Sequence, residues 1–281
     1  MIGVIGGSGF YEFLTSASEV EVDTPYGKPS APIVVGEFAG KQVAFLPRHG
    51  RHHELPAHRV PYRANMWAMC DVGVRQIIGP NSSGALHTDL RLGEFVVCDQ
   101  FVDRTSGRAD TFYDGPETTH VSAADPYCPE LRRILLDSAA ELGIAARDGG
   151  TVVVIQGPRF STRAESRWFA SMGRDVVNMT AYPEAHLARE LELCYATVSM
   201  VTDHDAGVVG QSSIWTPNSG LVASAIPLLS RTPRPECPPH RRRLPRASPA
   251  TSSSRAAASR GSRTAGRRRP PSSSWPPGGA C

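Results

Sequence analysis

The 281-residue sequence lacks any long apolar run. A membrane-spanning helix needs about 20 apolar residues, and no stretch approaches that length. The first ten residues, MIGVIGGSGF, have neither a basic start nor a cleavage site, so they predict a first strand rather than a signal peptide. The six cysteines are scattered and form no C-x-x-C pair, a usage typical of reduced thiols. We therefore expect a cytoplasmic protein with no membrane partner.

Several ligand-binding motifs are also absent. The glycine turn at residues 6–9 (GGSG) is not followed by Gly-Lys-Ser/Thr, so it is not a Walker loop. Glu12 stands where a dinucleotide fingerprint needs its third glycine, and Phe10 stands where a nucleophile elbow needs one. Ala57 occupies the second histidine position of a possible H-E-x-x-H zinc motif. The sequence therefore predicts no metal site and no cofactor.

The charge divides the chain into two unlike segments. Residues 1–210 carry 18 basic and 26 acidic side chains, a net charge of −8. Residues 211–281 carry 12 arginines, no lysine and one acid, a net charge of +11, together with 12 of the 24 prolines. A segment of this composition cannot form a packed core. We expect residues 211–281 to be a low-complexity, disordered tail behind a folded domain at 1–210.

Within residues 1–210, buried-strand patterns alternate with amphipathic helical patterns, which predicts an α/β protein of one large domain or two small ones. Polar, acidic or glycine-rich turns end at least five of the predicted strands. They are residues 6–9, 47–50, 80–84, 156–161 and 203–205. Because open α/β sheets bind ligands beyond the carboxyl ends of their strands, this pattern predicts a ligand cleft.

Three of these turns suggest an anion and a flat ring as ligands. At residues 6–9, backbone N–H groups and the Ser8 hydroxyl could approach an anion, although an ordinary strand-to-helix turn reads the same way. Arg48 and His49 follow the predicted strand 41–46, and an arginine fork beside a histidine suits a phosphate. Phe160 either stacks on a ring or belongs to the core.

The segment 176–205 predicts a strand, a helix and a second strand that ends in Asp203-His204-Asp205. Its helix places Glu184 and Glu190 off the apolar face. Since strand side chains alternate, Asp203 and Asp205 would share one side. Two acids in one cleft have their proton affinities pushed apart, so one can hold a proton while the other is charged. The alternative is a solvated turn with two acids.

Nine segments in residues 1–210 resemble the trimeric purine nucleoside phosphorylase family, and within it the S-methyl-5′-thioadenosine phosphorylases. They are GVIGGSGFY, DTPYGKPS, FLPRHG, PYRANMWA, DQFVDRTSGRADTFYDG, DPYCPEL, VVIQGPRFSTRAES, VVNMTAYPEAHLARELELCYA and VTDHDAG. The resemblance implies a single α/β domain with a central mixed sheet flanked by helices, assembled as a homotrimer. It implies a pentosyltransferase of purine and methionine salvage that uses phosphate to convert 5′-methylthioadenosine to adenine and 5-methylthioribose 1-phosphate.

The resemblance also implies roles for individual residues. At the phosphate it places Ser8, Arg48, His49, Asn81, Ser82 and Thr180. At the nucleoside it places Met179 on the ribose, Phe160 and Ser161 beside the base, Asp203, His204 and Asp205 at the purine, and His120 of a neighbouring subunit near the 5′-methylthio group. Asp203 and Asp205 are the expected catalytic pair, and inorganic phosphate is a co-substrate rather than a cofactor.

The chemistry of the acid pair favours an adenine nucleoside. A protonated Asp203 would donate to purine N7 as the base departs, and Asp205 would accept from the 6-amino group. An amide would suit a 6-oxopurine better. Three alternatives stay open. They are a 6-oxopurine nucleoside phosphorylase, an inactive frameshifted remnant in which the family's C-terminal helix is missing after residue 210, and a nucleic-acid-binding protein acting through its arginine-rich tail.

Overall fold

The computed structural model describes residues 1–7, 14–116 and 118–208. Within these ranges the strands are β1 (Ile2–Gly6), β2 (Thr15–Val20), β3 (Ile33–Phe38), β4 (Lys41–Pro47), β5 (Gln76–Ala85), β6 (Phe95–Val97), β7 (Gln100–Arg104), β8 (Ala146–Asp148), β9 (Thr151–Ile155), β10 (Val176–Asn178) and β11 (Cys194–His204). The helices are α1 (Tyr62–Asp71), α2 (Pro129–Glu141), α3 (Arg163–Ser171) and α4 (Ala181–Glu190), with a 3₁₀ turn at Ala57–Arg59. Ser8 and the predicted tail at 211–281 lie outside the described residues.

All eleven described strands form one mixed sheet. β1 lies between β4 and β5 and runs parallel to both. β11 runs parallel to β5 along nearly its whole length, whereas β10 is antiparallel to the end of β5 and continues the sheet through β9 and β7. Helices cover the sheet, so the expectation of an α/β domain with a central mixed sheet is confirmed for the described residues.

β5 differs from its prediction in a way that matters for the site. The pattern predicted a strand over 76–79 and a turn over 80–84, but β5 continues unbroken to Ala85. The predicted turn is wrong because these polar residues pair with β11, opposite Val198 to His204. The Asn81 amide makes hydrogen bonds with the buried hydroxyls of Thr197 and Ser199 on that strand.

The core explains why these segments form strands and helices. Cys194 to Met200 of β11 are all buried, which accounts for their continuous apolar and small-residue sequence. Helices α1 and α4 contribute Met66 and Leu187 to the main cluster around Ile77, and α2 packs Leu131 in a second cluster. Helix α3 begins with the capping box that its sequence predicts, Thr162 with Glu165.

Two expectations about the chain as a whole bear on its class. No helix among the described residues has the length and apolar character to cross a bilayer. Cys70, Cys98 and Cys128 are free thiols, as was predicted for them, whereas Cys194 is disulfide-bonded, so the prediction of a reduced thiol is wrong for Cys194.

Candidate active site

Three of the predicted site residues, Arg48, Asp203 and Asp205, lie against the second half of β5. A Cβ placed on Gly84 would lie 3.4 Å from Asp205 Cβ and 3.5 Å from Asp203 Oδ2, so both acids lie over this glycine. Four residues earlier, the Pro80 carbonyl accepts a hydrogen bond of 3.1 Å from Arg48 Nη1. The two acids therefore share one side of the sheet, as the strand periodicity predicts, and the arginine reaches the same strand.

Asp205 and Ser161 have buried polar atoms with no hydrogen-bond partner among the described residues. Asp205 is 5% exposed and Ser161 is 8% exposed. Neither Asp205 Oδ2 nor Ser161 Oγ makes a hydrogen bond to any described residue. The backbone of Asp205 is held by its N–H donating 2.9 Å to the Ala85 carbonyl. Because nearly all buried polar atoms are satisfied in folded proteins, two unsatisfied atoms at one place indicate a polar ligand.

The environment of Asp205 favours its protonated form. Burial raises the pKa of Asp205, and the nearby Asp203 carboxylate raises it further. The hydroxyls of Ser166 and Ser161 lie close enough to lower that pKa, although Ser161 Oγ reaches no hydrogen-bonding geometry, and burial prevails. The sequence analysis assigned the proton to Asp203. The structure places the raised pKa on Asp205, the acid that was expected to accept.

Phe160, predicted beside the base, lies in the segment after β9, and Met179, predicted at the ribose, packs against that segment. Phe160 is 72% exposed, so it is a surface ring available for stacking and not a core residue. Gly157 has a φ of 66°, and a Cβ there would lie only 2.7 Å from Met179 Sδ. Only glycine allows this backbone to pack against Met179, the residue predicted to face the ribose.

His204 does not join the two acids. Its Nε2 lies 3.1 Å from the Leu90 carbonyl, to which it donates a hydrogen bond. The family resemblance implied a substrate contact for His204. Alternation along the strand instead directs it away from Asp203 and Asp205, so we do not include it in the site.

Arg48 is bound mainly by the protein. Four of its five N–H groups donate to protein acceptors: two to the Glu184 carboxylate, one to the Ile5 carbonyl and one to the Pro80 carbonyl. Burial alone would lower the pKa of Arg48, but the Glu184 carboxylate outweighs it and the net pKa lies above the ordinary value. The predicted fork for phosphate is thus occupied by a buried ion pair, and a direct phosphate contact depends on the remaining N–H group.

His49 is neutral, and its free ring nitrogen is not the hydrogen-bond donor to phosphate that was predicted. Its Nδ1 lies 2.8 Å from the Leu55 carbonyl, which can only accept, so the proton sits on Nδ1. Burial and the adjacent Arg48 lower the pKa of His49 to about 4. At neutral pH its Nε2 is therefore an acceptor, which suits a hydroxyl or a protonated phosphate oxygen better than a bare anion.

The side-chain amide of Asn81 makes its hydrogen bonds to other protein groups and not to a phosphate. Its Oδ1 accepts from Ser83, Asn178 and Ser199, and its Nδ2 donates to the Gly79 carbonyl and Thr197. The predicted contact of this side chain with phosphate is therefore wrong in this geometry. These bonds connect β5, β10 and β11 beneath the site, which holds the strand ends together.

Ser82 and Thr180 have hydroxyls that better suit an anion. Ser82 is exposed on β5. Thr180 is buried between β10 and α4, yet its hydroxyl makes no capping hydrogen bond to that helix. Their roles at the phosphate stay predictions. No group of three or more His, Cys, Asp or Glu side chains is placed to hold a metal ion within the described part of the chain.

His120 lies on the exposed part of the long loop that follows β7. The base of this loop is anchored on α4, by residues that the sequence pattern did not single out. Thr111 Oγ1 and the Phe112 N–H each donate 2.7 Å to the Glu190 carboxylate. Glu190 was predicted to lie off the apolar face of the helix, which would leave it exposed. It is only 6% exposed, so that expectation is wrong.

His186 makes this anchor sensitive to pH. Its Nε2 lies 3.1 Å from Glu190 Oε1, and it also faces the Asp110 carboxylate and the Tyr182 ring. The hydrogen bond to Glu190 raises the pKa of His186 above its ordinary value, and burial opposes it. A raised folded-state pKa gives stability that is full below about pH 6.5, the unfolded-state value, and that is lost as pH rises through the folded-state pKa.

We expect His186→Gln to reduce the decline in stability as pH rises above about 6.5, because the variant has no charge to lose there. Urea unfolding at several pH values measures it. His52→Gln, which replaces an exposed histidine, is the matched control and should follow the parent curve. Parallel curves for His186→Gln and the parent would contradict this assignment.

The fold and the site define an α/β protein in which two acids lie together over one strand, with the buried Ser161 hydroxyl near Asp205. Residues 1–219 match the family model of the phosphorylase superfamily. The chain belongs to this family.

Relatives with known names agree with this class. The chain is 59% identical over 216 residues to the S-methyl-5′-thioadenosine phosphorylase of Mycobacterium tuberculosis, covering 76% of this chain and 79% of the relative. It is 56% identical over 214 residues to the purine nucleoside phosphorylase of Streptomyces coelicolor, covering 73% and 76%. Among solved structures, a methylthioadenosine phosphorylase from an antarctic soil metagenomic library is similar with a TM-score of 0.79 at 40% identity, covering 83% of this chain and 88% of that one.

Proposed function

We propose that this chain catalyses the phosphorolysis of 5′-methylthioadenosine, which yields adenine and 5-methylthioribose 1-phosphate. It would thereby act as a pentosyltransferase in purine and methionine salvage, with inorganic phosphate as co-substrate and no other cofactor. The names of several relatives support this substrate, at 52–61% identity. The observation that carries the proposal is the pair of unsatisfied buried atoms, Asp205 Oδ2 and Ser161 Oγ, beside Asp203.

The acid pair provides what a departing adenine requires. Cleavage of the N-glycosidic bond places positive charge on the sugar and negative charge on the leaving purine. A carboxylic acid donates a proton to N7, and its partner carboxylate accepts from the 6-amino group. Burial of Asp205 raises its pKa, so the pair retains a proton more readily than an exposed pair would. Ser161 supplies one more hydrogen-bonding group at the base.

Phosphate then completes the reaction from the other side of the sugar. The Thr180 and Ser82 hydroxyls, the glycine turn after β1 and the remaining N–H of Arg48 would hold it below C1′. Neutral His49 would accept a hydrogen bond from a protonated phosphate oxygen. Met179, which packs against Gly157, would contact the ribose between the phosphate and the base.

A 6-oxopurine nucleoside is the second candidate substrate, because one similar relative is named a purine nucleoside phosphorylase. Inosine presents an acceptor at O6 and an N1–H donor, where adenine presents a 6-amino donor. Two carboxyls offer at most one donated proton, so they match the adenine edge better. We therefore rank methylthioadenosine first and inosine second.

We further propose that the protein acts as a cytoplasmic homotrimer, with neither a membrane nor a nucleic acid as partner. Several residues around His120 in the long loop are exposed, and they would become covered if a neighbouring subunit packed there. A homotrimer of this 30.2 kDa chain has a mass of about 90 kDa. Light scattering after size-exclusion chromatography measures this mass, and a particle of one chain would contradict it.

Adenine release tests the proposed function. We expect the purified full chain to release adenine from 5′-methylthioadenosine only when phosphate is present, and to act on inosine at least tenfold more slowly by kcat/KM. Chromatographic detection of both bases measures this. Faster release of hypoxanthine would favour the 6-oxopurine alternative, and no phosphate-dependent release from either nucleoside would favour an inactive remnant.

A further inference from the structure

Arg108 lies in the long loop and has every N–H group of its guanidinium engaged. Nε donates 3.2 Å to Gln156 Oε1, and Nη2 donates to the backbone carbonyls of Ile155 and Gln156. Nη1 donates to the Tyr182 carbonyl and to the Tyr62 hydroxyl, at 2.5 and 3.3 Å. The guanidinium also lies over the Tyr62 ring, 5.2 Å from its centroid. Five donors in a rigid plane fix their acceptors in one arrangement.

Three of these five bonds go to the end of β9, where the base-binding segment begins. Gln156 is followed by Gly157, which packs against Met179, and then by Phe160 and Ser161. Gln156 Oε1 also accepts 3.0 Å from the Ser106 N–H, so the loop holds this residue twice. The bond to Tyr182 reaches the start of α4, two residues after Thr180. The guanidinium thus connects the loop both to the end of β9 and to the start of α4.

We propose that Arg108 is a positioning residue that sets the base-binding segment 156–161 against Met179 and Asp205. This inference rests on the proposed function for the identity of its ligand. Arg108 touches no predicted substrate atom; it acts through the backbone of Ile155 and Gln156. Removing it frees two carbonyls and one amide oxygen at the start of the segment, so Phe160 and Ser161 lose their fixed position. The affinity for the base falls as a result.

Adenine binding tests this inference independently of turnover. We expect Arg108→Ala to weaken adenine binding by about tenfold or more, since small misplacements of binding groups have large effects. We expect Arg108→Lys to be nearly as weak, because an ammonium cannot replace the planar fork. Millimolar guanidinium chloride should partly restore the adenine affinity of Arg108→Ala and should leave that of the parent unchanged. Calorimetry with adenine, and separately with phosphate, measures these affinities on the full chain.

The matched control is Arg104→Ala, which removes an exposed arginine that lies over Trp168 and contacts no carbonyl of the base segment. An unchanged adenine affinity in Arg108→Ala, or an equal loss for adenine and phosphate, would overturn the positioning role. If Arg108→Ala does not fold, Gln156→Leu removes one of the three bonds to this segment, and unchanged adenine binding there overturns the role as well. Parent protein that binds adenine but shows no turnover would count against the proposed function and not against Arg108.

Discussion

Asp203→Asn and Asp205→Asn are each expected to lower kcat/KM for 5′-methylthioadenosine by about 10²- to 10³-fold, the range typical of a lost general acid or a lost charge-stabilising group. An amide at either position cannot pass a proton to N7. It also presents a donor where the partner carboxylate would accept from the 6-amino group. Steady-state adenine release at saturating phosphate measures both values.

Asp137→Asn is the matched control, because Asp137 is an exposed acid on α2, away from the second half of β5. It should keep the parent kcat/KM. An amide in the site also matches a 6-oxopurine better, so the ratio of inosine to methylthioadenosine activity should rise in at least one of the two site variants. Full activity in both variants would exclude the acid pair from the reaction.

The pH profile assigns the proton between the two acids. If Asp205 is the acid, kcat falls as pH rises through its raised pKa, and Asp205→Asn loses that limb of the profile. If Asp203 is the acid, as the sequence analysis predicted, the limb disappears in Asp203→Asn instead. Burial of Asp205 favours the first result.

The acid pair was predictable because its signal is local. A strand pattern that ends in Asp-His-Asp fixes which residues share a side, and Gly84 of the neighbouring strand confirms the shared side of Asp203 and Asp205. The same alternation, applied strictly, also predicts that His204 faces away. Ser161 and Phe160 follow a strand end with a glycine turn, which is again a short-range pattern.

The residues that sequence reasoning missed depend on partners far along the chain. Glu184 reads as an ordinary acid in the first turn of a helix, yet it is fully buried because Arg48 and Tyr195 reach it from two strands. Arg108 and Glu190 likewise bind partners that are more than 70 residues away along the chain. Helical periodicity reports which face is apolar, but it carries no information about a buried charge whose counter-ion lies on another element.

The residues predicted at the phosphate were predicted less well than those at the base, again because their partners lie far along the chain. An Arg-His pair at a strand end has the right chemistry for phosphate, but the same donors also suit a buried carboxylate and backbone carbonyls. In Arg48 the protein acceptors take four N–H groups, and in His49 the Leu55 carbonyl takes the Nδ1 proton. Only the three-dimensional pairing distinguishes a free donor from an occupied one.

The ion pair of Arg48 and Glu184 gives the second large expected effect. We expect Glu184→Ala to lower the free energy of unfolding by about 3–5 kcal/mol, because it leaves the Arg48 cation buried without a counter-charge. Tyr195 Oη, which donates 2.8 Å to Glu184, would lose its acceptor as well. A loss of this size is a large part of the 5–15 kcal/mol that stabilises a typical domain. Urea unfolding followed by circular dichroism measures it.

Two further variants separate the charge from the packing. The double variant Arg48→Met/Glu184→Leu should recover much of the loss, since apolar side chains of similar size often replace a buried ion pair without large cost. Arg159→Ala breaks an exposed pair with Glu165 and should leave the urea midpoint nearly unchanged. If Glu184→Ala were as mild as Arg159→Ala, the Arg48 guanidinium would have to reach water or an anion. In that variant the two donors now held by Glu184, Nε and one N–H of Nη2, would be free for the co-substrate.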